Sequence, residues 1–268
     1  MATTPLASTT LAADVAALLP KRHQGEWTVS TATREDHPAT QLANGQRRFH
    51  LLLTDTGNTT LTAAAPASDT SLTVVGSAPT AVAGAALRSL LPRIDRHIIR
   101  LAPPQQRQHR LHHLTEIDAL IRELGTSAER FDQADDTTGL SWQCGDASVS
   151  FALRGTSATG SVGFSGGLGA LERFLAPFLP PHPGPARVRT SPPRGCGGVA
   201  RRILATFPHA VEADEDGLVR FSDADGGPLQ GWVMPHDING PTGPRTPVTA
   251  GVCGVGLDLM LSALPTFA

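Results

Sequence analysis

Apolar positions along the chain follow two periods that alternate three times. The spacing L-x-x-[LFM]-L-x-x-[ILF] recurs at Leu87, Leu90, Leu91 and Ile94, at Leu171, Phe174, Leu175 and Phe178, and at Leu257, Met260, Leu261 and Leu264. Residues three and four apart share one side of a helix, so each set predicts a helix with one buried face. Ahead of each helix lie short β-branched or alternating runs bounded by Gly, Asp and Asn, which predict antiparallel strands. The first part offers EWTVSTA, RRFHLLLTD, TTLTAAA and SLTVVG; the second LSWQC, SVSFALR and SVGF; the third LVRF, LQGWV and PVTAGV. Each group follows a shorter amphipathic stretch, LAADVAALL, LTEIDALIREL or VARRILATF. The fold expected is therefore α+β: three related α-β-β-β-α units with antiparallel sheets, the first somewhat elaborated.

Two proline-rich stretches, LAPPQQRQHRLHH and PPHPGPARVRTSPPRGCGG, break the periodicity and read as linkers. They divide the chain into a first unit over 1–101, a linker over 102–113, a second unit over 114–180, a Pro/Arg-rich linker over 181–198 and a third unit over 199–268. Trp27, Trp142 and Trp232 fall one per unit on expected strands. There a large ring anchors sheet to helix, the alternative being an exposed stacking platform.

Composition mainly removes functions. Among 268 residues Lys21 is the only lysine, which leaves no Walker A loop and no core lysine for a Schiff base. No cofactor is expected. Cys144, Cys196 and Cys253 are odd in number and widely spaced, so they suggest neither a disulfide framework nor a zinc knuckle. No apolar stretch is long enough for a membrane span, and no export signal is visible. A soluble protein of the reducing cytoplasm, without a membrane partner, is the expectation.

The stretch SVGFSGGLGALERFL contains Gly163, Ser165 and Gly167 as G-x-S-x-G ahead of a helix. A nucleophile elbow needs a parallel strand, reached by a crossover helix. Only GTSATG separates SVGF from SVSFALR, which predicts a hairpin and antiparallel neighbours. No catalytic site is expected on this reading. The serine hydrolase alternative takes Ser165 as nucleophile with Asp223 and His236 as partners.

His109, His113 and Glu116 have helical spacing suited to a metal but border a proline-rich stretch, where a solvated face is the ordinary outcome. ADEDG and SDADGG lack the ligand spacing of a calcium loop and read as turns. Cys196 opens an expected helix near two arginines, a setting that lowers a thiol pKa, yet it has no visible histidine partner. Arginines cluster twice. Arg88, Arg93, Arg96, Arg100, Arg107 and Arg110 form one run, while Arg187, Arg189, Arg194, Arg201 and Arg202 lie in a second that holds no acid from Arg173 to Val211. Such runs suit a phosphate backbone if they converge on one surface. The partner expected first is a protein or a second copy of the chain, with nucleic acid as the alternative.

The segment SLTVVGSAPTAVAGAALRSLLPRIDRHI resembles uncharacterised proteins of actinobacterial mobile elements, over the first third of the chain. That resemblance implies an accessory, mobile-element origin and no particular activity. The α-β-β-β-α order also resembles a double-stranded-RNA-binding domain, but the lysine-rich helix start of that family is missing at Gly166–Ala170 and Gly251–Gly256.

Overall fold

The computed structural model describes residues 5–23, 25–34, 37–64, 70–101, 106–155, 157–179, 195–207, 211–222 and 228–267. These form two compact units, residues 1–106 and 107–268.

In the first unit, helix α1 (Pro5–Leu18) precedes a five-stranded antiparallel meander. Its strands are β1 (Thr28–Arg34), β2 (His37–Asn44), β3 (Arg47–Leu53), β4 (Thr59–Ala63) and β5 (Ser71–Val74). Helix α2 (Pro79–Ala85), a π-helical turn over Ala86–Leu90 and helix α3 (Leu91–Leu101) follow without a break. The expected apolar face is present, since Leu87, Leu90, Leu91 and Ile94 are all buried, as are Leu42, Phe49, Leu51 and Leu61 on the sheet. Trp27 is an anchor here. Its ring meets Phe49 edge-on at 5.6 Å, and the Arg47 guanidinium lies 5.1 Å from its centroid. Arg47 donates to Asn44 Oδ1 at 2.6 Å, and Asn44 Nδ2 donates to the Gly25 carbonyl at 2.9 Å.

The second unit holds α4 (Gln106–Glu123), β6 (Ala128–Gln133), β7 (Thr137–Cys144), β8 (Ala147–Arg154), β9 (Thr159–Gly167) and α5 (Leu168–Leu175). After them come α6 (Gly197–Thr206), β10 (Val211–Ala213), β11 (Val219–Ser222), β12 (Gln230–Pro235), β13 (Pro247–Gly256) and α7 (Leu257–Phe267). The two expected units over 114–180 and 199–268 are not separate bodies. Their strands join in one eight-stranded antiparallel sheet, ordered β10-β11-β12-β13-β9-β8-β7-β6. On each side of the central β9–β13 pair the chain reads helix, four strands, helix. Gly163 sits directly opposite Gly251, with Val162 opposite Val252 and Phe164 opposite Ala250. Pairing of this kind is self-complementary, as at a twofold interface between identical subunits.

One face of this sheet is apolar and buried over its centre. A single row of register runs through Trp142, Val149, Phe164, Ala250, Val233 and Val219, all buried. Helices α5 and α7 pack on its centre, Phe174 lying 4.9 Å from Phe164 between ring centroids. The expected helical faces of Leu171, Phe174, Leu175 and Phe178, and of Leu257, Met260, Leu261 and Leu264, are buried in full.

Each expected unit gains a strand, namely β2, β6 and β10, so none has three. The sequences HPATQLAN, AERFDQ and VEA carry no run of alternating apolar residues, and two of them form edge strands, where polar residues are favoured. The expected linker over 102–113 is also shortened. Residues 106–113 are the first turns of α4, because Gln, Arg and His have ordinary helix propensity while the apolar face begins only at Leu114. Most of the other linker, 180–194, lies outside the described residues, and its end at Gly197 already belongs to α6.

Candidate functional site

Alternation along a strand sends neighbouring residues to opposite faces. One residue beyond the buried row the same eight strands therefore present an outward row, Glu129, Ser141, Ser150, Gly163, Gly251, Trp232, Arg220 and Glu212. Its centre is built of small residues. Ser148, Ser165 and Thr249 lie across β8, β9 and β13 on one side of that row, with Ala152, Ser161 and Cys253 on the other. On β12, Trp232 and Met234 rise from this floor at 37% and 49% exposure. The tryptophan expected to anchor a core is thus on the open face, whereas Trp27 and Trp142 are buried.

Gly251 explains how the ring lies there. A Cβ at that position would meet the indole Nε1 at 2.8 Å and Cε2 at 2.9 Å, so Trp232 rests across a backbone from which the side chain is missing. Gly163, next in the row, leaves the Ser150 hydroxyl as its only close neighbour. Trp232 and Met234, exposed beside a floor of small side chains, leave this face open among the described residues.

Ser165 belongs to this floor. It lies within β9, between antiparallel β8 and β13, opposite Ser148 and Thr249, and the strand continues to Gly167 before α5 begins. His236 Nε2 bonds the Thr249 hydroxyl at 2.8 Å, and Asp223 lies outside the described residues. The parallel strand of a nucleophile elbow is absent, and the motif's last glycine serves packing. A strap over 236–246, between β12 and β13, lays its Pro244 carbonyl 2.8 Å from where a Gly167 Cβ would stand. Pro244 O also accepts from Gly169 N at 2.9 Å, and Thr246 O from Leu168 N at 3.0 Å. Backbone carbonyls of the strap thereby satisfy the free N–H groups at the start of α5. The strap encloses a pocket of about 580 Å³ lined by His236, Asp237, Arg245 and prolines.

The arginines do not form one reserve of free charge. Arg202 Nε and Nη2 grip Glu172 at 2.7 and 2.6 Å, tying α6 to α5, and this contact raises the Arg202 pKa. Arg88 and Arg93 are partly buried with interactions of their own. Arg96 and Arg201 are exposed. Side chains of Arg100, Arg107 and Arg110, and all of Arg187, Arg189 and Arg194, lie outside the described residues.

His113 Nδ1 stands 3.9 Å from Glu116 Oε2, and His112 Nε2 3.7 Å from Oε1, along α4; the side chain of His109 lies outside the described residues. Asp214 to Gly217 form the β10–β11 turn. Cys196 is buried completely at the start of α6, where its Sγ donates to the Gly197 carbonyl at 3.9 Å. Cys144 is held above its ordinary pKa, chiefly by burial, with Arg173 opposing and Asp146 reinforcing the shift.

The platform had one signal in sequence that was missed. In LQGWVMP, Trp232 and Met234 share the period-two face opposite Val233, and PVTAGVC across from it offers only Thr249, Gly251 and Cys253 on the matching face. No helix among the described residues is long and apolar enough to cross a membrane. No family model, curated protein or solved structure matches this chain.

Proposed function

We propose that the chain is a non-catalytic binding protein that holds a helical segment of a protein partner on the open face of its eight-stranded sheet. The observation that carries this reading is Trp232, exposed beside Met234 and laid across Gly251. Four strand spacings of about 4.8 Å separate β7 from β12, leaving a trough roughly 19 Å wide in which an α-helix about 10–12 Å across fits. Ser, Gly, Ala and Thr on the floor let a backbone approach closely, and a Trp at the rim is the residue type that dominates interface energy. Charge on this face is mixed, with Glu129 and Glu212 against Arg220, which fits a protein better than a phosphate backbone.

The three helix–strands–helix segments are, on this reading, copies of one ancestral unit, two of them fused into a single sheet. Three free cysteines fit a cytoplasmic site of action. An accessory role on an actinobacterial mobile element rests on the resemblance of the first third alone.

Cys253 provides the reporter, being exposed on the same face. Helical peptides selected from a displayed library on the immobilised full chain should protect Cys253 from a thiol reagent. Their affinity should fall about tenfold or more in Trp232→Ala, as for an anchor residue. Peptides that bind Trp232→Ala undiminished would remove this face as the docking site. If instead a generic duplex or single strand binds at low salt, with a steep salt slope that Arg201→Ala flattens, nucleic acid replaces the protein partner.

A further inference from the structure

The two sheets have four edges, and three are protected. Strand β5 is four residues long and β10 three, while β6 carries Glu129, Arg130 and Asp132. Short or charged edges resist pairing with another chain. Strand β1 is different: its seven residues, TVSTATR, contain no proline and no charge before Arg34, and Thr28, Ser30, Thr31 and Thr33 are exposed. Thr and Val are favoured in strands, so this sequence suits a strand with a free side.

Two further features indicate what pairs there. Glu26 lies four residues before Ser30 and Arg34 four residues after it. An antiparallel pairing of two β1 strands centred on Ser30 sets Ser30 opposite Ser30, Thr28 opposite Ala32, and each Glu26 opposite the other copy's Arg34. Opposite charges facing across strands favour that register, and like charges in it are avoided. Glu26 holds Lys21 at 2.6 Å and Arg34 has an interaction of its own, but the Glu26 and Lys21 side chains are 73% and 74% exposed, and such exposed pairs contribute little to hold a side chain in place. Helix α1, which packs against β1, has an outer stripe at Thr9, Thr10, Ala13, Asp14, Ala17 and Leu18 with one charge, and Leu18 is 45% exposed. With a single charge on that stripe and an exposed Leu18, α1 adds little charge to oppose a second copy at β1.

We propose that β1 is a self-docking edge, through which two copies of this chain join antiparallel across Ser30 into a continuous ten-stranded sheet. This surface lies in the first unit and is independent of the open face of the second.

Sedimentation velocity of the full chain, from roughly 10 to roughly 200 µM, should show a monomer–dimer equilibrium in the range of weak interfaces. Glu26→Arg and Arg34→Glu should each weaken it by about tenfold, and the double exchange should restore it, because the charges then face each other again. In a Cys253→Ser background, Ser30→Cys should cross-link two copies on mild oxidation, and Thr33→Cys should not. A monomer at every concentration overturns the proposal. So does a dimer that ignores both charge reversals, and loss of that dimer in Trp232→Ala would move self-association to the open face. Retained sheet content by circular dichroism in each variant separates lost pairing from lost fold.

Discussion

The two faces of the eight-stranded sheet are made from the same strands, one residue out of step, and differ in nearly every physical property. The inner row, through Trp142, Phe164 and Val233, is buried and apolar. In the outer row only Trp232 is large and apolar, and the rest is Ser, Gly or charge. A stability requirement accounts for the inner row completely, since burial of apolar area is the main favourable term in folding. It gives no reason for an exposed indole on a glycine. What the contrast teaches is that strand membership predicts little about a tryptophan's role, and parity along the strand predicts much.

The largest effect should come from exchanging the same residue type on the two faces. Trp142 is 4% exposed, so Trp142→Ala removes a full ring from the core and should cost about 3–5 kcal/mol in urea unfolding. Trp232→Ala should cost under about 1 kcal/mol, as surface changes do, while weakening binding on the open face about tenfold or more. Equal losses would erase the distinction between the faces.

Much of the inner face was legible, because burial imposes periodicity. The helical sets around Leu87, Leu171 and Leu257 are buried as expected, and every strand read from an apolar run exists. Illegible parts are those where no apolar period is required. Strand β6 is an edge strand with polar residues on both sides, β10 has three residues, and the first turns of α4 carry Gln, Arg and His with only the exposed Leu111 among them. Joining of the second and third segments was hidden for another reason. Which strand pairs with which across a long connection is decided by tertiary packing, and β9 and β13 read alike whether they end two sheets or centre one. At the candidate site, the antiparallel setting of Ser165 followed from a six-residue hairpin. The grip of Arg202 on Glu172 did not, because the partners lie 30 residues apart.

Glycines sharpen the comparison at a smaller scale. A Cβ at Gly160, on the inner side, would meet the Ala152 carbonyl at 2.6 Å and the Phe151 ring at 2.7 Å, neither of which can move away cheaply. Gly160→Ala should therefore cost about 1–3 kcal/mol. At Gly163, on the outer side, the only obstacle is the Ser150 hydroxyl at 2.7 Å, which can rotate. Loss of chain freedom in the unfolded state is worth roughly 0.4–1 kcal/mol in favour of alanine. Gly163→Ala should thus be neutral or slightly stabilising by thermal unfolding, and a loss as large as that of Gly160→Ala would show the outer face to be packed.

The salt bridge beneath the inner face offers a third test. Glu172 and Arg202 join α5 to α6, the two helices that flank the long connection, with side chains 20% and 34% exposed. Arg202→Leu should lower the urea midpoint modestly at low salt and by less at high salt, because a partly exposed pair is screened. A salt-independent loss would mean that the arginine acts through packing of its stem.

The smallest effects, in rate before stability, concern the thiols. Cys253 is exposed on the outer face, Cys144 is half-buried toward the inner one, and Cys196 is buried. A thiol reagent should modify Cys253 first, Cys144 slowly, and Cys196 only on unfolding. Burial raises the Cys144 pKa, so its rate should keep climbing with pH beyond about 8.5, where an ordinary thiol is half ionised. The same shift has a consequence for stability. With the folded pKa above the unfolded one, the native state retains a proton that the unfolded chain loses first, so stability is intact below the unfolded pKa and declines as pH rises through the folded value. Cys144→Ser should flatten that alkaline decline without altering the neutral plateau by more than a small-to-polar change at a half-buried site. An unchanged alkaline slope in Cys144→Ser, together with Cys144 reacting as fast as Cys253, would place both thiols in water and leave the two faces alike at that edge of the sheet.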